Sequence, residues 1–447
     1  MPSCINLNCW MSINPNKRVA FLTLGCKLNF SESSTLAREF EDHGYCRVAP
    51  SSKADVYVIN TCSVTEHADK KCRQAIRKVI SLSPHAQVVV TGCYAQLKPD
   101  EVAAIEGVKL IVGAKEKGNI IHLLNENVNE EMAPVIYSCN IEDVEVIFPA
   151  YSSGDRTRSF LKVQDGCNYH CSYCTIPLAR GKSRNLPIET ILKEAEEVAS
   201  KGVKEIILTG VNIGDFGQTT GESFLDLIKK LEKVDGIERY RISSIEPNLL
   251  TTEIIEYVAQ SSKFLPHFHI PLQSGTNGIL KAMRRRYTTE QFTNKISEIK
   301  NALPNVFIGI DIIVGFPGES KSDFEETFHL LERLNVAFLH IFPYSVRPNT
   351  PAELLPNRVP PDEISRRVHQ LKILSEKLHQ QFYHNNIGQK ANVLFEARRK
   401  NEMMMGYTEN YILVEAPYMQ NMTNTIVPVT LNGIAENGNA TIEITTL

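Results

Sequence analysis

Long apolar runs are missing from this 447-residue sequence, and no stretch reaches the length that a membrane-spanning helix requires. The first ten residues, MPSCINLNCW, lack the basic start and the long apolar core of a secretory signal. An excess of positive charge is absent as well, because 48 Lys and Arg stand against 51 Asp and Glu, for a formal net charge of −3. Bulk charge therefore gives no support for nucleic-acid binding, and any such surface must be local.

A disulfide framework is also absent. The eleven cysteines are an odd number and occur at irregular spacings in a chain of ordinary composition, with 43% hydrophobic and 22% charged residues. Secreted disulfide scaffolds are short and carry paired cysteines. Free thiols persist in a reducing compartment, so we expect a cytoplasmic protein, and the length predicts about three domains.

Three cysteines stand close together in the segment CNYHCSYC, directly after a predicted strand. Cys167, Cys171 and Cys174 have the spacing C-x3-C-x2-C, and thiolates at such spacing bind one small soft-metal cluster. Three thiolates leave one iron of a [4Fe-4S] cube open for a further ligand, which predicts a cluster that performs chemistry. The alternatives are ordinary buried cysteines or a zinc knuckle with His170 as fourth ligand, although a second C-x-x-C pair is absent.

Strands alternate with helices between residues 18 and 125, which predicts a doubly wound α/β domain with a parallel sheet. The segments VAFLTLGC, ADVYVINTC and QVVVTGC read as its strands, and they end in Cys26, Cys62 and Cys93. Because the carboxyl ends of parallel strands share one edge, these thiols form a second candidate cluster site. The alternative is that they are small core residues. The other cysteines lack this placement: Cys4, Cys9, Cys46, Cys72 and Cys139.

The rest of the chain divides into three further segments. Residues 126–155 are acidic and polar and are expected to be a linker. From 156 to 386, six strand-like segments alternate with amphipathic stretches, which predicts a partial barrel of six β/α units whose active face carries the CNYHCSYC loop. Residues 387–447 alternate apolar and polar residues between Gly and Asn turns, which predicts a small antiparallel β-barrel.

Six motifs together resemble those of the radical S-adenosylmethionine methylthiotransferases: TLGCKLN, INTCSVTE, VTGCYAQ, DGCNYHCSYCTIP, HIPLQSG and DIIVGFPGE. These enzymes insert a methylthio group into an unactivated C–H bond of an RNA base or a ribosomal protein side chain. The resemblance covers nearly the whole chain and implies a three-cysteine domain, a six-unit radical barrel and a C-terminal TRAM domain. The Lys and Leu that follow the first cysteine of TLGCKLN resemble the branch that acts on tRNA N6-threonylcarbamoyladenosine.

The resemblance implies a role for each cysteine group. The CNYHCSYC cysteines hold a radical cluster whose open iron binds S-adenosylmethionine, and the strand-end cysteines hold an auxiliary cluster at which sulfur is supplied and methylated. One S-adenosylmethionine is cleaved to a 5′-deoxyadenosyl radical that initiates substitution at carbon 2 of adenine, and a second one methylates the sulfur. The implied cofactors are two [4Fe-4S] clusters and S-adenosylmethionine.

Six further residues are candidate contacts to S-adenosylmethionine: Tyr173, Gly210, Asn212, Glu246, Gln273 and Gly315. The tyrosine is expected to pack on the adenine, and the glycines are expected to let the backbone approach the cofactor. For each of them the alternative is ordinary turn chemistry or a satisfied strand end. One departure from the family is Asn349, where relatives often have glycine, and it predicts an altered substrate-side loop.

The resemblance implies tRNA and a small electron-donor protein of the flavodoxin or ferredoxin type as partners. Two basic runs support RNA contact locally: Lys70, Lys71, Arg73, Arg77 and Lys78, and then Arg284, Arg285 and Arg286 before Tyr287. Such groups neutralise phosphates, and the alternative is a solvated helix face. In the C-terminal segment Tyr407, Tyr411 and Tyr418 are candidates for base stacking, although core packing competes.

Two other functions remain open at this point. One is a methylthiotransferase of another branch, which acts on N6-isopentenyladenosine in tRNA or on a ribosomal protein. The other is a non-catalytic iron–sulfur protein that binds RNA or carries electrons. A carrier normally closes its cluster with four ligands, so the three-cysteine loop argues against it. Nothing in the sequence decides the oligomeric state.

Overall fold

The computed structural model describes residues 17–126, 133–154 and 156–444. The chain divides into two units, Met1–Val144 and Glu145–Leu447. Within the described ranges, no helix combines the length and the apolar character that a membrane crossing needs.

The N-terminal unit contains one sheet of six parallel strands in the order β2-β1-β3-β4-β5-β6. The strands are β1 Arg18–Thr23, β2 Cys46–Val48, β3 Val56–Thr61, β4 Gln87–Gly92, β5 Val108–Val112 and β6 Val135–Tyr137. The helices are α1 Lys27–Asp42, α2 Glu66–Leu82, α3 Cys93–Leu97, α4 Pro99–Ala103 and α5 Ile120–Glu126. The strand order reverses between β1 and β3, which is where open sheets of this kind bind ligands.

Helices cover both faces of this sheet, as the sequence predicts. On one face Phe40 of α1 makes an edge contact with Phe21 of β1. On the other face Ile76 of α2 shares a core with Ala20 and Ile59. Strand β3 is buried at all six positions because it is central and covered on both sides.

Strand β6 lies within the region that the sequence analysis assigns to a linker. It pairs with β5 from Leu110↔Val135 to Val112↔Tyr137, so the sheet continues beyond residue 125. The strand has only three residues, which is too short to give a periodic signal. The linker expectation for 126–155 is therefore wrong for this part of the segment.

The C-terminal unit contains the six predicted β/α units. The strands of this region are β7 Arg158–Lys162, β8 Gln164–Asp165, β9 Arg184–Asn185, β10 Glu205–Thr209, β11 Arg239–Ile242, β12 His267–Gln273, β13 Phe307–Val314 and β14 Phe338–Pro343. The helices are α6 Ile176–Arg180, α7 Ile188–Ser200, α8 Phe224–Leu231, α9 Thr252–Gln260, α10 Asn277–Ala282, α11 Thr289–Ala302, α12 Lys321–Leu334 and α13 Pro361–His384.

Six of these strands form an open, parallel barrel wall. They pair as β11-β10-β7 and β12-β13-β14, and single bridges such as Ser244↔His269 join the two halves. The side chains of Phe268, Ile308 and Leu339 point to the helices, where they share one core with α13. Alternate residues on the same strands therefore face the barrel interior. This confirms the predicted partial barrel.

A closed five-stranded barrel ends the chain in the order β15-β16-β17-β19-β18. Its strands are β15 Lys390–Lys400, β16 Met403–Tyr407, β17 Leu413–Pro417, β18 Ile426–Ile434 and β19 Ala440–Ile444. The predicted barrel is confirmed, but one pairing, β17 with β19, is parallel rather than antiparallel. An odd number of strands cannot close with antiparallel pairs alone.

The small barrel is fastened to the large one by a buried ion cluster around Glu205. Arg241 donates from Nε to Glu205 at 2.8 Å and from its two terminal nitrogens to the carbonyls of Thr408 and Glu409 at 2.7 Å each. The Arg241 guanidinium also lies 4.9 Å from the ring centroid of Tyr411. These bonds give the carbonyl of Glu409 a donor and the carbonyl of Thr408 a second donor beside the N–H of Tyr411.

The same contacts decide the role of two tyrosines proposed for RNA stacking. Tyr407 and Tyr411 stack on each other with centroids 4.7 Å apart, and Arg158 lies 4.3 Å over the ring of Tyr407. Their faces are therefore occupied by protein, and the core-packing alternative holds for both. Tyr418 is covered on one face by Arg399, at 5.0 Å.

We expect Arg241→Met to lower the free energy of unfolding of the C-terminal unit by about 3 kcal/mol, because a buried carboxylate loses its closest cation. Chemical denaturation measures the loss, and limited proteolysis between α13 and β15 should become faster. Arg399→Met is the matched control, since the side chain of Arg399 is 49% exposed. Equal stability of the Arg241 and Arg399 variants would contradict this account.

Candidate iron–sulfur and cofactor site

The CNYHCSYC loop is held at both of its ends by one carboxylate. Asp165, at the end of β8, accepts from the backbone N–H of Gly166 and from Nη1 of Arg180, both at 2.8 Å. Gly166 has a φ of +72°, and a Cβ there would lie 2.0 Å from the carbonyl oxygen of Lys182, so only glycine fits. The loop is therefore fixed on the carboxyl face of the barrel before any ligand binds.

Each of the three loop sulfurs accepts one N–H group. The backbone N–H of Tyr169 reaches Cys167 Sγ at 3.3 Å and that of Ile176 reaches Cys174 Sγ at 3.4 Å. Arg285 donates from Nη1 to Cys171 Sγ at 3.0 Å. Hydrogen bonds to sulfur stabilise thiolate ligands and tune a cluster. The donor set therefore fits an iron–sulfur cluster.

Burial raises the pKa of Cys167 and of Cys174 to about 12 each, and it also raises that of Cys171. The thiols are thus protonated at neutral pH until a metal displaces the protons. His170, which the zinc alternative requires as its fourth ligand, is exposed on the loop. Among the described residues, one group of three side chains could bind a single metal ion, and this group contains no cysteine.

Arg285 is a site residue that the sequence analysis misses. It lies in the run of three arginines proposed for RNA, but its side chain is only 2% exposed and forms an ion pair with Glu246. Arg286 is exposed, and its guanidinium lies 3.9 Å over the ring of Tyr169. Arg284 is exposed as well, so the phosphate interpretation is wrong for Arg285 alone. A run of like charges gives no signal that one member is buried.

Glu246 lies shortly after β11, the third strand of the barrel wall, and its ion pair with Arg285 links it to the cysteine loop. Burial raises the pKa of its carboxyl group, and the neighbouring Arg285 opposes that shift. The pair thus brings a cation to Cys171 while remaining neutral as a whole. Its link to S-adenosylmethionine stays a prediction.

The TGVN loop is tied to the cysteine strand by Gln164. The side-chain oxygen of Gln164 accepts from the backbone N–H groups of Val211 and Asn212, both at 2.9 Å. A Cβ on Gly210 would lie 2.9 Å from that oxygen, which explains the glycine. The side chain of Asn212 is buried, and neither its oxygen nor its nitrogen has a hydrogen-bond partner in the protein. An unsatisfied buried amide in this place fits a polar group of a bound cofactor.

The other residues predicted to contact S-adenosylmethionine have different backbone conformations and surroundings. Gln273 has a φ of +69° at a β-bulge, a strained conformation that is typical of functional sites. Tyr173 makes an edge contact with Phe316, 6.4 Å between centroids. Gly315 has a φ of +81°, and the space of its missing side chain is filled by Ile364 of α13. This supports the structural alternative for Gly315.

The second cysteine group follows from the register of the N-terminal sheet. Thr61 pairs with Gly92, so Cys62 and Cys93 are the residues that directly follow two neighbouring strands. Thr23 pairs with Asn60, which brings the turn that contains Cys26 to the same edge. Burial raises the pKa of Cys62 to about 12, with the thiols of Cys93 and Cys26 near enough to add to the shift. The three predicted cysteines therefore lie at one edge of the sheet, and their binding of a common cluster stays a prediction.

Close packing fixes this edge. Asn29 donates to the carbonyls of Leu24 and Thr61 at 2.8 and 2.9 Å and thereby links the first two cysteine turns. Gly25 has a φ of +112°, and a Cβ there would lie 2.7 Å from the Cβ of Cys62. Cys72 of α2 is also close, and its thiol donates to the carbonyl of Cys62 at 3.3 Å. Cys72 is thus a buried neighbour rather than a member of the strand-end group.

The other predicted positions belong to neither of the two cysteine groups. Cys46 is exposed and Cys139 is half-buried, whereas Cys4 and Cys9 lie outside the described residues. On α2 four of the five basic residues are exposed, but Arg73 is bound to Tyr94 and Glu66. Asn349 has a φ of +63°, which explains why glycine suits this position and why asparagine replaces it well.

Comparison with known proteins gives two family matches. Residues 161–331 match the profile described as the Radical SAM superfamily, and residues 18–113 match the one described as Uncharacterized protein family UPF0004. The chain is 40% identical to "Threonylcarbamoyladenosine tRNA methylthiotransferase MtaB" of Bacillus subtilis, over 92% of this chain and 93% of the relative. It is 33% identical to "tRNA-2-methylthio-N(6)-dimethylallyladenosine synthase" of Helicobacter pylori, over 87% of this chain and 90% of the relative.

A solved structure shows the same fold at low sequence similarity. The radical S-adenosylmethionine methyltransferase TsrM from Kitasatospora setae superposes with a TM-score of 0.55 and 13% identity, over 73% of either chain. At this identity the likeness concerns the fold alone.

We expect Gly25→Ala to disrupt the strand-end site, because a Cβ there would collide with Cys62 in a backbone conformation that L-residues rarely adopt. After anaerobic reconstitution the variant should bind about four irons fewer than the wild type. Iron analysis and electron paramagnetic resonance measure the loss. Gly278→Ala, where nothing lies within 4 Å of the added Cβ, is the control. Full iron content in the Gly25 variant would refute the proposed location.

Proposed function

The chain belongs to the radical S-adenosylmethionine tRNA methylthiotransferases, and we propose that it transfers a methylthio group to carbon 2 of N6-threonylcarbamoyladenosine next to the tRNA anticodon. One observation carries the choice of nucleoside. Relatives whose name contains threonylcarbamoyladenosine are 34–40% identical over about nine tenths of the chain, with 40% in Bacillus subtilis and Aquifex aeolicus. Relatives named for the dimethylallyl nucleoside reach 33–34%.

The cofactors of this family are two [4Fe-4S] clusters and S-adenosylmethionine. A cluster with one open iron supplies the electron that cleaves S-adenosylmethionine to a carbon-centred radical, which is what an unactivated C–H bond requires. Cys167, Cys171 and Cys174 would hold this radical cluster, since each sulfur already accepts an N–H. The other tasks of the chain are to position the substrate and to keep the site dry.

The polar groups around the cysteine loop have separate tasks. The unsatisfied amide of Asn212 would bind a polar group of S-adenosylmethionine, while Gln164 fixes the loop that carries it. The Glu246–Arg285 pair places a cation against Cys171 and stabilises negative charge on its sulfur. Tyr173 and Gln273 would complete the binding surface.

Cys26, Cys62 and Cys93 would hold the auxiliary cluster, which would supply the sulfur that a second S-adenosylmethionine methylates. The parallel register that places the last two side by side supports this assignment. Cys26 stands at the N-cap of α1, where the helix dipole favours a thiolate.

The partners of the protein follow from the proposed reaction. The substrate is tRNA, and the exposed residues Lys70, Lys71, Arg77 and Lys78 of α2 would contact its phosphates. A small protein of the flavodoxin or ferredoxin type would supply electrons. We propose a cytoplasmic location, because both partners occur there and because free cysteines stay reduced there. The domain limits that we propose are 18–137, where the first domain is extended from 125 to include β6, and then 156–386 and 387–447.

Cys171→Ala tests the radical site. The variant should retain about half of the iron, because the auxiliary site is untouched, and should lose reductive cleavage of S-adenosylmethionine. Cys46→Ala, at an exposed cysteine outside both groups, serves as the control. Unchanged cleavage in Cys171→Ala would overturn the assignment, and a carrier function predicts no cleavage by any variant.

Nucleoside mass spectrometry of tRNA from a strain without this protein tests the substrate. We expect the 2-methylthio derivative of N6-threonylcarbamoyladenosine to disappear and its precursor to accumulate, and the wild-type chain to restore it. Loss of the methylthio-isopentenyl nucleoside instead would assign the chain to the other tRNA branch.

A further inference from the structure

Three polar side chains line the interior of the radical barrel at a place that the cofactor contacts do not use. They are His269 on β12, Asp311 on β13 and His340 on β14, on three neighbouring strands. Their strand neighbours Phe268, Ile310 and Leu339 belong to the core beneath the helices, so the alternation turns these three side chains inward.

The three side chains form one contiguous group. Nε2 of His269 lies 2.6 Å from Oδ1 of Asp311, and the rings of His269 and His340 are 4.8 Å apart. The ligand atoms of all three lie within 4.8 Å of one another. Gly309 leaves room beside them, because a Cβ there would lie 3.4 Å from Nε2 of His340.

The group is accessible from the interior. The side chains of His269 and Asp311 are 23% and 17% exposed, although both stand on barrel strands rather than on the outer surface. The carboxylates of Asp311 and Glu246 have cationic or hydrogen-bonding partners, His269 for Asp311 and Arg285 for Glu246. Neither therefore presents a bare negative charge to an anionic ligand.

The shape of a purine nucleoside determines which of its groups can reach this place. Ribose is attached to the five-membered ring, so a base that enters with its ribose outside leads with its Watson–Crick edge. That edge carries both carbon 2 and the substituent on N6. When carbon 2 is held at the mouth of the barrel, the N6 substituent extends along the barrel wall.

We propose that His269, Asp311 and His340 form the subsite that recognises the threonylcarbamoyl substituent of the substrate base, an inference that rests on the proposed function. This substituent carries a urea, a hydroxyl and a carboxylate, and all three need hydrogen-bond partners when they leave water. The Asp311 carboxylate orients the ring of His269, and His340 presents a second imidazole toward the same space. An isoprenyl group offers no hydrogen-bonding atom to these polar side chains and would exclude water from them, so the subsite also selects against it.

A single metal ion is the competing occupant, because two imidazoles and one carboxylate are a common ligand set. The present geometry favours the nucleoside. The 2.6 Å contact between Nε2 of His269 and Oδ1 of Asp311 is a hydrogen bond, and an ion would have to break it to use both atoms.

The test is binding of two tRNAs to the reconstituted holoenzyme without reductant. The tRNAs are identical except that one bears N6-threonylcarbamoyladenosine and the other unmodified adenosine next to the anticodon. The wild type should bind the modified tRNA more tightly, and His340→Ala should reduce this preference about tenfold, the value of one hydrogen bond to a charged group. The affinity for the unmodified tRNA should not change, and His340→Gln should restore part of the preference.

One control variant, together with measurements of activity and metal content, separates the possible failures. His329→Ala removes a histidine of the same barrel whose side chain is 65% exposed on α12, and it should keep the preference. If the wild type methylthiolates modified tRNA but His340→Ala keeps the full preference, the subsite proposal alone is wrong. If the wild type methylthiolates neither tRNA, the proposed function is wrong. If the wild type contains one equivalent of a divalent metal other than iron and His340→Ala has lost it, the three side chains form a metal site and the nucleoside proposal is wrong.

Discussion

Parallel strand pairing is the constraint on which both cysteine sites depend. In a parallel sheet every strand ends at the same edge, so residues that follow paired positions become neighbours regardless of their distance in the sequence. Thr61 opposite Gly92 brings Cys62 beside Cys93, although thirty residues separate them. The barrel uses the same geometry, since the cysteine loop follows β7 and β8 and the Asn212 loop follows β10.

Charge buried within the C-terminal unit is organised around a few carboxylates, each with its own cations. Asp165 holds the ends of the cysteine loop, Glu205 joins the small barrel to the large one, and Glu246 directs Arg285 to the sulfur of Cys171. Such pairs gain little stability over apolar packing, but they fix geometry because either partner alone would be costly. The rigid frame they provide suits radical chemistry, in which the reacting groups must be aimed and water excluded.

Much of this organisation is readable from the sequence. The six β/α units, the closed C-terminal barrel and the enzyme family are confirmed, because strands and amphipathic helices leave periodic patterns and the six motifs are specific. Features that depend on few residues were missed or misread. Strand β6 has three residues, and the Arg284–Arg286 run looks like a phosphate site although its middle member is buried.

The sequence by itself determined the family and its cofactor chemistry and singled out the candidate cysteines, because a C-x3-C-x2-C loop keeps its thiols close through local chain geometry. Only the tertiary structure decided which distant groups meet. The pairing of Arg285 with Glu246, the parallel pair in the small barrel and the meeting of His269, Asp311 and His340 all arise between segments far apart in the chain. Such contacts are set by strand order and register, which no local pattern of residues records.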